Sequence, residues 1–290
     1  MGISLREYQL FELKILKEFS GICDQHNLNW WIGYGTLLGA ARHKGFIPWD
    51  DDIDVWMMPD DYLAFREICR TELNSEYYLN VHSFNPANAI TWQCLGVRNT
   101  TSIPRNQLDV PADWGVCMDI FPLVPCPNPE TPRFSGFLKR IRSFQRLSSK
   151  YVYANDVSKT SGLRKLYNKW RASGSDEQNI TKWLAVENAL FTDKANLASG
   201  WVTDIDCVEP ADSYKRSWFD STVYLDYEDM KVPAPGEYQK VLAHCYGEDW
   251  AQIPDESSDL RWCHSGGGSD DVIVSLDTPY TDYWPENRVD

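Results

Sequence analysis

Leu5, Tyr8, Phe11, Ile15, Phe19, Ile22 and Cys23 recur at steps of three and four with charges between them, which predicts an amphipathic helix over 5–26. Asn27 to Asn29 end it. Trp30-Trp31-Ile32 is a short apolar run bounded by Gly33 and Gly35, which predicts a buried strand leading into a tight turn, and residues 36–42 predict a short helix ending near Gly45. Val55-Trp56-Met57-Met58 predicts a second strand carrying aspartates at its start, and Pro59-Asp60-Asp61 opens a helix that Asp60 or Asp61 can cap, with Tyr62, Phe65, Ile68 and Cys69 on its apolar face.

Further strands are expected at 77–82, 93–98 and 118–124. A proline-rich connector follows over 122–132. Helices are then predicted at 134–151 and 178–198, with a weaker helical pattern at 158–175. Thr222 to Val232 alternates like one strand, and Pro235 to Tyr246 reads as a capped helix stopped by Gly247. Beyond Asp255, where Gly266-Gly267-Gly268 occurs, periodicity is lost and a tail largely without regular structure is expected.

The 290 residues are 43% hydrophobic and 24% charged, with 13 Trp, a globular composition that excludes disordered and collagen-like chains. A net charge of −14 argues against general nucleic-acid binding, which depends on Lys and Arg neutralising phosphates. The charge is uneven: residues 1–130 carry −8, 131–200 carry +8, 201–254 carry −7 and 255–290 carry −7. The basic island over 131–200 is either a solvated helical face or a surface for an anionic partner.

Eight cysteines are scattered without a C-x-x-C pair, so reduced thiols are expected. His244-Cys245 and Cys263-His264 are a weak zinc pattern, because adjacent residues on a helix or strand do not converge on one point. No apolar run reaches the ~18 residues of a membrane span and the N-terminus lacks a signal-peptide core; a cytoplasmic protein is expected. The Gly2 myristoylation pattern fails at Arg6.

Asp50, Asp51, Asp52 and Asp54 place four carboxylates within five residues, and at neutral pH such a group faces bulk water or shares a cation. The flanks Phe46-Ile47-Pro48-Trp49 and Val55-Trp56-Met57-Met58 are apolar, which argues for an anchored loop-to-strand junction. In an extended segment Asp50, Asp52 and Asp54 share one side, as a hard cation requires. An EF-hand starting at Asp50 fails, since its sixth and twelfth positions are Val55 and Asp61. Magnesium-dependent phosphoryl transfer fits better. The preceding Gly33-Tyr34-Gly35-Thr36 before a helix is a natural phosphate cradle.

The block running from Trp31-Ile32-Gly33-Tyr34-Gly35-Thr36 through Leu37–Arg42 to Trp49-Asp50-Asp51-Asp52-Ile53-Asp54-Val55 resembles the signature of the LicD family, bacterial phosphorylcholine transferases related to the fukutin-type ribitol-phosphate transferases. Looser similarity extends to the N-terminal helix, to Met118-Asp119-Ile120-Phe121-Pro122-Leu123, and to Val232-Pro233, Leu242, Tyr246-Gly247 and Pro254. Tyr34 departs from the small residue usual before Gly35-Thr36.

The resemblance implies an α+β, nucleotidyltransferase-like mixed β-sheet flanked by helices, with 1–130 as catalytic core, 131–200 as a basic helical insertion, 201–254 as a return to the core and 255–290 as an acidic tail. It implies Asp52, Asp54 and Asp119 as ligands of two Mg²⁺ ions, with Mn²⁺ as the alternative. Asp50, Asp52 and Asp54 would be catalytic, Asp50 orienting the acceptor or taking its proton. Gly35 and Thr36, with Arg42 and Lys44, would bind the phosphates.

The implied reaction moves a phospho-alcohol, phosphocholine first among them, from a CDP-linked donor to a hydroxyl of a cell-surface glycan or glycolipid, releasing CMP. The alternative is a metal-dependent glycosyltransferase using nucleotide sugars, which also employs D-x-D. A choline head group would need an aromatic cage, drawn from Trp30, Trp31, Trp49, Trp56, Trp92 and Trp114. The basic island would grip an anionic acceptor through Arg140, Arg142, Arg146 and Lys150, or touch the inner face of the membrane.

Overall fold

The computed structural model describes residues 3–206, 209–255 and 272–284. Helix α1 (Leu5–His26) starts at a reciprocal cap, in which Ser4 Oγ accepts from the Glu7 N–H while the Glu7 carboxylate accepts from the Ser4 N–H, and it stops where Asn27 turns left-handed. Its apolar stripe buries Leu13, Ile15, Leu16, Phe19 and Cys23 against the main sheet. The chain then forms β1 (Trp31–Ile32), α2 (Tyr34–His43), β2 (Asp54–Met57), α3 (Pro59–Glu72), β3 (Tyr77–Asn80), β4 (Gln93–Val97), β5 (Thr101–Pro104), β6 (Cys117–Pro122) and β7 (Val124–Cys126).

The main sheet has the order β1-β2-β6-β4-β3, with β2 and β6 parallel and the other pairs antiparallel. This mixed sheet, flanked by helices, is the α+β arrangement expected. Val55, Trp56 and Met57 are buried throughout because both faces of β2 are covered. Helix α3 begins with Pro59 at its first turn and Asp60 and Asp61 near its positive end, but neither aspartate caps it; Met58 holds the cap position.

Residues 133–197 form α4 (Arg133–Ser148), α5 (Lys150–Lys159), α6 (Gly162–Arg171), α7 (Asp176–Phe191) and α8 (Lys194–Leu197). Helices α4 and α7 share the main core: Phe134, Phe137, Ile141, Phe144, Trp183 and Leu190 belong to one buried cluster with the sheet residues. An ion pair between Arg66 of α3 and Glu187 of α7, both nearly inaccessible, locks this segment to the core.

Strands β8 (Trp201–Thr203) and β9 (Ser213–Lys215) complete a small sheet with β7. Thr222 to Val232 is not one strand but a hairpin, β10 (Thr222–Tyr227) and β11 (Met230–Pro235), turning at a left-handed Glu228. Glu228 is held there by Arg6 and by the Phe46 N–H. Because β11 runs to Pro235, the next helix, α9, begins only at Tyr238 and runs to Tyr246, ended by Gly247.

The tail also differs from expectation. Strand β12 (Val272–Ser275) pairs with β5, and Tyr280 packs against Tyr78 with Trp284 Nε1 donating to the Ala112 carbonyl. Val272-Ile273-Val274 is too short an apolar run to mark a strand by itself in an acidic context. Cys263, His264 and Gly266 to Gly268 lie outside the described residues. Within the described residues no helix is long and apolar enough to cross a membrane.

Candidate functional site

The parallel pairing of β2 and β6 sets Asp54 directly beside Asp119, and the antiparallel pairing of β6 and β4 sets Cys94 on the other side of Asp119. Cross-strand partners project from the same face, so these three side chains converge. The Cys94 thiol donates to Asp119 Oδ1 at 2.8 Å. Cys94, Cys117 and Asp119 together could hold a metal ion, their ligand atoms all lying within 4.8 Å of one another. Burial pushes the Cys94 thiol well up, so in the metal-free protein it is a neutral donor that orients Asp119.

The rest of the acidic cluster enters from the loop before β2. Gln9 Nε2, on α1, donates to the backbone carbonyls of Ile47 and Asp50 and anchors this loop. The Asp50 carboxylate sits against the turn at the start of α2: a Cβ on Gly35 would lie 2.5 Å from Asp50 Oδ2. Glycine at 35 is therefore what lets the carboxylate reach the turn. The Thr36 hydroxyl is buried and accepts from the Asp54 N–H at 2.9 Å, while the Gly33 N–H donates to the Asp54 carbonyl. Thr36 thus ties the turn to β2 rather than standing open as a phosphate-binding hydroxyl.

Arg42 and Lys44 are placed elsewhere. Arg42 donates to the carbonyls of Trp250 and Gln252. Lys44 is the exposed C-cap of α2, about 14 Å along the helix from Gly35, and acts on Asp226 of the hairpin.

The electrostatics of the cluster are set first by burial. Burial first, then Asp52 and Asp51, pushes Asp50 up to about 8, and Asp50 and Asp52 share a side-chain hydrogen bond. Asp54 is pushed well above the usual carboxylate range by burial and by Asp52, Asp119 and Asp50. Burial pushes Asp119 up to about 6, partly offset by the Cys94 thiol and the nearby Trp92 indole. After burial, Asp50 and Asp54 are raised chiefly by other carboxylates, whereas for Asp119 the Cys94 and Trp92 hydrogen bonds come ahead of Asp52 and Asp206. Asp52, Asp54 and Asp119 offer oxygen donors, the type a hard divalent cation takes, whereas among the described residues the group whose ligand atoms lie within 4.8 Å of one another is Cys94, Cys117 and Asp119.

One member was not anticipated from the sequence. Glu12 of α1 is buried, and burial, Asp52, Cys117, Asp51 and Asp119 raise its pKa well above normal. Its signal was present: an acid in the stripe Tyr8, Glu12, Ile15, Phe19 that packs on the sheet.

A stability prediction follows. Carboxyls whose folded pKa exceeds the unfolded value of ~4 bind more protons in the folded state, so stability present at acid pH is lost as pH climbs through about 6 for Asp119 and about 8 for Asp50. In chelator, the Tm should fall from about pH 5 to about pH 8, and Mg²⁺ should restore it mainly at the higher pH. A Tm indifferent to both in scanning fluorimetry contradicts this electrostatic account.

Residues 27–127, spanning β1 to β7, match the family described as LicD/FKTN/FKRP, nucleotidyltransferase domain. Over 75 residues the chain is 48% identical to the lipopolysaccharide cholinephosphotransferase LicD of Haemophilus influenzae, covering 26% of this chain and 28% of that protein. An uncharacterised protein of Rickettsia typhi is 40% identical over 70 residues, 22% of this chain and 23% of that one. The human ribitol 5-phosphate transferase FKRP is 42% identical over 41 residues, 14% of this chain and 8% of that protein. Residues 27–127 are thus similar to the LicD/FKTN/FKRP nucleotidyltransferase domain, and the chain matches each of these relatives over less than a third of their length.

Proposed function

We propose that the chain is a phosphotransferase that moves a phospho-alcohol, phosphocholine in the first place, from a CDP-linked donor to a hydroxyl of a cell-surface glycan or its precursor, with release of CMP. The observation that carries this is the convergence of Asp54 and Asp119 on adjacent parallel strands, with Asp50 packed against the Gly35 turn. Similarity to a cholinephosphotransferase and to a ribitol 5-phosphate transferase, within the segment that builds this site, supports the reaction class.

Asp52, Asp54 and Asp119 would hold Mg²⁺, or Mn²⁺, which when bound neutralises charge on the pyrophosphate. Asp50, packed against the Gly35 turn beside Asp52, takes the proton of the acceptor hydroxyl. The hydroxyl oxygen bonds to the distal phosphorus, the bond from that phosphorus to the bridging oxygen breaks, and CMP leaves with the electron pair.

The head group would meet an aromatic wall. Trp92 and Tyr34 are partly exposed and both pack on Phe121, with ring centroids 5.2 and 5.7 Å away. Trp30, Trp31 and Trp56 are buried core residues, and Trp114 packs with a separate cluster around Tyr78. A quaternary ammonium over an indole gains ~1–2 kcal/mol when desolvated. Trp92→Ala should therefore raise the KM for CDP-choline roughly 5- to 30-fold and change the KM for CDP-glycerol little. Equal effects on both donors in a steady-state assay would remove choline from the proposal.

A further inference from the structure

Helix α6 is built the wrong way round for a core helix. Leu163, Leu166, Tyr167 and Trp170 fall at i, i+3, i+4 and i+7, a single apolar stripe, yet they are 85%, 64%, 45% and 67% exposed. The side turned to the protein is polar: Asn168 is the buried residue of the helix, and its side chain donates to Thr160. Around the stripe stand Arg164, Lys165, Lys169 and Arg171, with no acidic residue on the helix.

We propose that α6 docks the protein on an anionic lipid bilayer, its axis in the membrane plane, with the Leu163, Leu166, Tyr167 and Trp170 stripe set among the headgroups. An exposed stripe of Leu, Tyr and Trp flanked by Lys and Arg is the composition of an interfacial helix: the rings settle at the polar–apolar boundary and the cations extend to lipid phosphates. Charge selects this occupant over a second copy of the chain, because two such helices brought face to face would oppose four cations with four cations.

The surroundings agree. Arg146, Lys150, Arg171 and Lys182 line a cleft beside Trp170. Lys150 there is paired with Asp176, and Arg171 donates to the Arg146 carbonyl with its guanidinium over the Trp170 and Tyr153 rings, which keeps positive charge beside the stripe. Segment 131–200 carries +8 while the rest of the chain is acidic, so an anionic surface attracts this face and repels the others. The inference stands independently of the donor and the reaction.

The test is co-sedimentation of the full chain with vesicles of phosphatidylcholine alone or mixed with phosphatidylglycerol. Binding is expected to the mixed vesicles and to weaken with salt. Leu166→Glu with Trp170→Glu should lower partitioning at least about tenfold, and Arg164→Gln with Lys169→Gln about 25-fold, fivefold for each cation removed. Unchanged Tm values show that the fold is kept, as expected for exposed side chains. Absence of binding to mixed vesicles, binding that survives both pairs of substitutions, or a wild-type dimer that Leu166→Glu dissociates in lipid-free sedimentation would each overturn the proposal.

Discussion

Asp54→Asn is expected to lower transfer roughly 10³-fold or more while raising the Tm of the metal-free protein at neutral pH. The two effects have one cause. Asp54 is buried at the start of β2, in register with Asp119 and within the field of Asp52 and Asp50, all of which oppose its ionisation. Without a cation the ionised cluster works against folding, and an amide of the same shape relieves it. The backbone contacts that position residue 54, from its N–H to Thr36 Oγ1 and from the Gly33 N–H to its carbonyl, do not involve the replaced atoms. Rate assays and thermal melts on the same preparation check both effects. A variant that keeps more than about a tenth of wild-type activity, or that melts below wild type in chelator, contradicts this account.

Glu187→Ala is expected to destabilise the protein by about 3–5 kcal/mol, because it leaves the Arg66 guanidinium buried without its carboxylate. The pair is bidentate, at 2.7 and 3.1 Å, and the two side chains are only 5% and 4% exposed. The partner left behind, not the lost attraction, sets the size of the effect. The double variant Arg66→Met with Glu187→Leu, which removes both charges, should cost far less. Urea denaturation of the three proteins distinguishes these outcomes, and a loss below about 1 kcal/mol for Glu187→Ala would show that water or another group reaches Arg66.

Much of the core was readable because its periods are long and its boundaries chemical. Helix α1 carries a full apolar stripe and a capping pair, and β2 is an apolar run between a loop of aspartates and a proline. The hairpin at 222–235 was hidden because alternation continues across a two-residue turn whose left-handed residue is Glu228, not glycine or asparagine. Strand β12 was hidden because four residues in an acidic tail acquire meaning only beside β5.

At the site, the aspartates were visible as a local cluster, and Asp119 as a carboxylate opening an apolar strand. Residues from distant segments were not. Cys94 reaches Asp119 only through strand pairing, and Glu12 reaches the cluster only through docking of α1. Conversely, Arg42 and Lys44 stand near the aspartates in sequence, but the helix carries them to its far end, where Arg42 is engaged by backbone carbonyls.

The most direct test of the central claim is release of CMP from a panel of donors with Mg²⁺ and a glycan acceptor, comparing CDP-choline, CDP-ribitol, CDP-glycerol and UDP- or GDP-sugars for the wild-type chain, Asp52→Ala and Asp54→Ala. The account predicts acceptor-dependent release from a CDP-alcohol, CDP-choline first, and loss of that release in both variants. Release that survives both substitutions, or turnover of nucleotide sugars alone, would contradict it.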